Sequence, residues 1–182
     1  MKVLVFTEGT VLMFESGKGV SREKRVELSN LAGIQREDTG LKLGDKAVYK
    51  PTKGSVHDYS SYIPVGNSVE KLKLWKEKGA NIYYLSSRRT ADELKDIGNV
   101  LKKFSFPDSS NLIFRREGET YKEPTERLMP DVLIEDDCES IGGEVEMTYP
   151  KLDQNAKQKI HSVVVKEFQG IDELPDDPTK LW

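Results

Sequence analysis

Four short clusters carry side chains that could do chemistry. They are FTEGT at residues 6–10, LSSRR at 85–89, YKEP at 121–124 and LIEDDCES at 133–140. In chain order they offer an acid, hydroxyls, a lysine and a run of acids. Glu8 is a candidate general acid or base, a role that needs hydrogen-bond reach to the reacting proton. Ser86, with Ser87 competing for the role, and Lys122 have the chemistry to hold a phosphate by hydrogen bond and by charge. Asp136 and Asp137, directly after Glu135, are oxygen ligands of the kind Mg²⁺ prefers beside phosphate. Adjacent carboxylates repel one another, so a cation or a buried donor is expected near residues 135–137. Each residue also has a plainer reading. Glu8 fits a solvated turn, Ser86 an ordinary strand-end hydroxyl, and Lys122 a solvated lysine. Arg88 and Arg89 either line an anion site or are solvated at a helix start. Neighbouring acids should raise the Cys138 thiol, so no nucleophile is expected there.

These clusters need elements to position them, and the hydrophobic pattern supplies a strand–helix alternation. KVLVFT at 2–7 reads as a buried strand, and NIYYLS at 81–86, NLIFR at 111–115, DVLIE at 131–135 and IHSVVVK at 160–166 as four more. SVEKLKLWKEK at 68–78 reads as a helix, with Asn67 as N-cap, Glu70 three residues on and Gly79 after its end. Thr90 and Glu93 form a second capping pattern, followed by an apolar stripe of Leu94, Ile97, Val100 and Leu101. A short helix is expected over 124–129, with Pro124 at its start. The expected fold class is therefore α/β, a parallel sheet with helices on both faces. Such sheets bind ligands at the carboxyl ends of their strands, where FTEGT, LSSRR and LIEDDCES fall, with YKEP standing before the fourth strand.

Residues 11–66 break the rhythm. A basic helical stretch at 21–33 is followed by a Gly- and Lys-rich piece at 39–54, readable as a β-hairpin, and by SVHDYSSYIPVGN at 55–67. The segment is too long for a simple connection. It is expected to be a cap or flap over the first strand's end, inside a single domain of 1–182. His57, Asp58, Tyr59 and Tyr62 either overhang the site or form surface loop, the latter being the default.

Composition narrows the function classes. The chain has 182 residues, 36% hydrophobic and 32% charged, with a net charge of −3 from 28 basic and 31 acidic residues. No basic stripe suggests nucleic acid. No apolar run approaches a membrane span. MKVLVF is too short for a signal peptide's apolar region. The lone Cys138 excludes an internal disulfide and fits a reducing compartment, so the expected location is the cytoplasm.

Taken together, the four clusters resemble the motifs of the haloacid dehalogenase (HAD) superfamily. That family has a Rossmann-like sheet with an inserted cap, an Asp-x-Asp-Gly-Thr motif ending strand 1, a Ser or Thr ending strand 2, a Lys often close to a Pro, and paired acids after strand 4. FTEGT, Ser86, Lys122 and Glu135-Asp136-Asp137 take those places here. The resemblance implies phosphate-side residues Thr10, Ser86 and Lys122. It implies Mg²⁺ on the Glu8 backbone carbonyl with Asp136 and Asp137. It also places Phe6 where the family has its nucleophilic Asp, and Phe can neither attack phosphorus nor ligate a metal. An aspartyl-phosphate mechanism is then unavailable, and Mg²⁺ binding weakened. Glu8 is one methylene longer than the family's second Asp. The expected function is binding of a phosphorylated or anionic small ligand with little or no phosphatase activity. Two alternatives stay open: Mg²⁺-dependent hydrolysis of a phosphate ester by activated water, and a structural role with a protein partner.

Overall fold

A computed structural model describes residues 1–33, 51–88, 90–116 and 118–182. The elements in chain order are β1 (Lys2–Phe6), β2 (Leu12–Met13), α1 (Arg22–Ala32), β3 (Ile63–Pro64), α2 (Ser68–Glu77) and β4 (Asn81–Ser86). They continue with α3 (Ala91–Lys103), β5 (Leu112–Phe114), α4 (Lys122–Leu128), β6 (Val132–Asp136), α5 (Gln154–Lys157) and β7 (His161–Val165). Five strands form one parallel sheet in the order β5-β4-β1-β6-β7. After β1 the chain builds outward through β4 and β5, then returns to β6 on the other side. The boundary between β1 and β6 is thus a topological switch point, where sheets of this type open a crevice at their carboxyl ends.

The central strands are buried on both sides, and their side chains alternate. Val3 and Val5 point to one face with Ile82, Tyr84, Val132 and Ile134, and pack against Leu72 and Trp75 of α2 and Ile97 and Leu101 of α3. Leu4 and Phe6 point to the other face with Leu85 and Leu133, and pack against Tyr121, Leu152, Ala156 and Ile160. This period-two split puts helices on both faces of an α/β, Rossmann-like sheet. No helix among the described residues is long and apolar enough to cross a membrane.

Local signals explain the start of α3, and those at α2 and α4 are overridden. The Thr90 hydroxyl accepts from the Glu93 N–H and the Glu93 carboxylate accepts from the Thr90 N–H, completing the capping box of α3. Asn67 precedes α2 without capping it through its side chain. Its amide and backbone N–H instead donate to Asp172, far along the chain. α4 starts at Lys122, ahead of Pro124, so its proline lies inside the first turn.

Within 11–66, β2 and β3 pair antiparallel as a separate two-stranded ribbon, with the Val65 N–H donating to the Val11 carbonyl. No strand from the described part of this segment joins the central sheet. The hairpin expected over 39–54 lies mostly outside the described residues. α1 lies against the loops after β6 and β7. Arg22 pairs with Glu139 at 2.8 Å, Arg25 donates to the Phe168 carbonyl at 3.1 Å, and the Ser29 and Ser140 hydroxyls meet at 2.8 Å.

Candidate functional site

The carboxyl ends of β4, β1 and β6 open into one pocket. The β1 end forms its floor. β1 stops at Phe6 because the chain turns: the Val11 and Leu12 N–H groups both donate to the Thr7 carbonyl, at 3.0 and 2.8 Å. Gly9 sits in that turn at φ +85°. A Cβ there would come within 2.7 Å of the Asp136 Oδ2, so only glycine lets the β1 turn and the end of β6 approach this closely.

Phe6 occupies the end of the strand with a ring that is nearly buried and packs edge-to-face on Tyr121, centroids 5.3 Å apart. Two residues on, the Glu8 side chain crosses to the end of β4. Its Oε1 accepts from the Ser86 hydroxyl at 2.7 Å, and its Oε2 from the Ser87 N–H at 3.0 Å, the Ser87 hydroxyl at 3.2 Å and the Thr7 hydroxyl at 2.7 Å. The buried guanidinium of Arg88 lies 3.6 Å from the same carboxylate. The extra methylene of Glu8 makes this reach feasible. Arg88 also donates to the Ser87 hydroxyl and to the Tyr59 hydroxyl, and its guanidinium lies 4.4 Å from the Tyr59 ring centroid. Tyr59 and Tyr62 are buried and line the pocket, so the inserted segment supplies part of its wall.

On the β6 side, Asp136 is buried. It accepts from the Thr10 hydroxyl at 2.9 Å and from the Cys138 N–H at 3.0 Å. Burial raises its carboxyl to about 6, against the pull of those two donors. Glu135 accepts from the Thr148 and Tyr149 N–H groups, yet burial raises it to about 7. Glu167 accepts from the Ser140 N–H and hydroxyl, and burial together with the Asp136 charge raises it to about 7. Burial and the surrounding acids push the Cys138 thiol far up, which excludes a thiolate nucleophile.

The structure therefore brings together Glu8, Thr10, Ser86 and Asp136, and does so from three strand ends. It does not bring in the other two expected residues. Lys122 sits at the start of α4 outside the pocket lining, paired with Asp153 at 2.7 Å. Asp137 faces away: it accepts from the Glu167 N–H at 3.0 Å and pairs with Lys166 at 3.0 Å. Burial works against its charge, but these two partners keep its carboxyl below the usual range. Sequence reasoning gave no special weight to Tyr121, Thr148, Glu167 or Phe168, all of which line the pocket. Arg88, whose plain reading from sequence is a solvated arginine, is buried.

The residues do not fit Mg²⁺. A ring stands at position 6, the Glu8 carboxylate is held by β4 donors, and Asp136 is held by Thr10 and Cys138. Among the described residues no group of three or more His, Cys, Asp and Glu side chains is placed to hold a metal ion.

No family model and no curated protein matches the sequence. Among solved structures, the chain is similar to a class C acid phosphatase from Bacillus anthracis, determined with tungstate bound. The two share 14% identity, with a TM-score of 0.49, over 93% of this chain and 68% of that one.

Proposed function

We propose that this chain is a HAD-like protein with a degenerate first motif, a single domain of 1–182 whose 11–66 insertion caps the site. It binds a phosphorylated or anionic small ligand without hydrolysing it. The observation that carries this reading is the state of Glu8. Ser86, Ser87 and Arg88 already surround a carboxylate, which supports the reading that this donor set suits an anionic group. A ligand's phosphate takes the place of the Glu8 carboxylate, which swings toward the pocket mouth. Thr10 serves the site indirectly, by fixing Asp136 against the β1 turn.

Hydrolysis is excluded on this reading by what stands at the attacking position. Phe6 offers no nucleophile and no acid, and Glu8 is engaged with donors instead of facing a substrate. The test is turnover of aryl phosphates with and without Mg²⁺, with a parallel search for a phosphoenzyme. The reading expects neither. Turnover that Glu8→Ala or Asp136→Asn abolishes would instead establish the activated-water hydrolase.

A further inference from the structure

We infer that the inserted segment controls the anion site through His57, which bridges the end of α1 to Tyr59 and so fixes the edge that Arg88 turns to the ligand. The inference rests on the anion-binding reading above and adds the regulation of that site. The Arg88 guanidinium is used on two sides. Its Nε and Nη2 donate to the Ser87 hydroxyl oxygen, and Nε lies 3.6 Å from the Glu8 carboxylate. Its Nη1 donates to the Tyr59 hydroxyl. A guanidinium is a rigid planar fork of donors with no acceptor. Whatever holds Nη1 therefore decides where the Nε and Nη2 edge points.

Tyr59 can hold Nη1 only if its own proton is directed elsewhere, and His57 supplies the place. The His57 Nε2 lies 2.9 Å from the Ala32 carbonyl oxygen, which can only accept, so in the neutral ring Nε2 carries the proton. Nδ1 is then a bare acceptor, 3.3 Å from the Tyr59 hydroxyl. Arg88 can only donate to that hydroxyl, so the O–H donates to Nδ1 and a lone pair faces Nη1. Burial raises the Tyr59 phenol above its ordinary value although Arg88 pulls the other way, which keeps the hydroxyl protonated for this task. The chain Ala32–His57–Tyr59–Arg88 thus has one consistent placement of its protons.

The surrounding elements make this chain a link between segment and site. α1 ends at Ala32, whose carbonyl is among the last-turn acceptors that a helix leaves without an internal partner. The turn carrying His57 and Tyr59 is stiff. The Gly54 N–H donates to the Asp58 carboxylate at 2.8 Å, and the Tyr62 hydroxyl to the Val56 carbonyl at 2.6 Å. Arg88 is oriented for an anion while α1 and this turn are seated together, and loses that orientation when they part.

The test uses two replacements that split the two bonds of His57. His57→Asn keeps an acceptor near the Nδ1 position, for Tyr59. His57→Gln keeps a donor near the Nε2 position, for Ala32. In calorimetric titrations of the full chain with ethyl phosphate, His57→Asn should stay within about twofold of the parent and His57→Gln should weaken binding at least about fivefold, part of one hydrogen bond to a charged group. Tyr59→Phe should weaken it as well, and His57→Gln should cost nothing further in that background. In long-range ¹H–¹⁵N spectra of the parent, the His57 ring should show Nε2 protonated and Nδ1 bare. Parent-like affinity in both His57 variants overturns the inference and leaves the anion-binding reading standing. So does a loss in His57→Asn as large as in His57→Gln, which assigns His57 to packing under α1, and so do additive losses in the double variant or the opposite tautomer. A parent that does not bind ethyl phosphate overturns the anion-binding reading, and the inference with it.

Discussion

Glu8→Ala tests the donor set that defines the site. The change removes the acceptor of the Ser86 and Ser87 hydroxyls, of the Ser87 N–H, and in part of Thr7, whose hydroxyl also donates to the Leu85 carbonyl at 3.2 Å. It also strips the buried Arg88 of its carboxylate partner. Removing one member of a buried ion pair costs about 3–5 kcal/mol. Arg88 keeps Tyr59 and Ser87, which favours the lower end. At roughly 2–4 °C per kcal/mol for a chain of this size, the unfolding midpoint should fall by roughly 6–20 °C. The vacated cradle should then take a free anion. Phosphate at ten times its Kd restores about 1.4 kcal/mol by mass action, a rise of roughly 3–6 °C. The assay is thermal unfolding of parent and variant in phosphate and in chloride at matched ionic strength. A variant as stable as the parent, or one no more responsive to phosphate than the parent, would refute the reasoning.

Three further outcomes follow from the same geometry. Phe6→Asp exchanges a packed ring for a carboxylate in the pocket floor, and losing the ring alone costs about 3–5 kcal/mol; Mg²⁺ should raise this variant's unfolding midpoint and leave the parent's unchanged. Lys122→Ala should leave affinity for ethyl phosphate unchanged in titration, because Lys122 pairs with Asp153 and lies outside the lining. The third outcome concerns pH. The carboxyls of Glu135, Asp136 and Glu167 are raised to about 7, 6 and 7 by burial. Groups raised in the folded state favour folding fully below their unfolded values, and that contribution is lost as pH rises through the folded ones. Denaturant unfolding should therefore show lower stability at pH 8 than at pH 5, and Glu167→Gln should flatten that slope by up to about 3 kcal/mol.

What the sequence made legible was local or periodic. The strands announced themselves by apolar runs, and the capping box of α3 by a Thr and a Glu three residues apart; both depend on neighbours in the chain. The placement of Glu8, Ser86 and Asp136 followed from strand ends alone. What was not legible depends on distant partners. Asn67 reads as an N-cap until Asp172 takes its amide. Lys122 reads as a phosphate ligand until Asp153 takes its ammonium. Asp136 and Asp137 look equivalent in sequence, but alternation along an extended chain turns one toward Thr10 and the other toward Lys166. Tyr59 and Tyr62 lie in a polar stretch that reads as surface loop, and are buried because the segment folds back toward α3 and the end of β4. Ser86-Ser87-Arg88 carried the one usable signal of a buried arginine: two hydroxyls and a cation at the end of an apolar strand, opposite an acid on the neighbouring strand.

The central claim, binding of a phosphate ester without its hydrolysis, is tested most directly by ³¹P NMR of ethyl phosphate with the parent chain. The account predicts a saturable shift or broadening of the ester resonance, with the ester intact after prolonged incubation with Mg²⁺ present. Growth of an inorganic phosphate resonance that stops in Asp136→Asn, or an ester resonance that never responds to the protein, would contradict it.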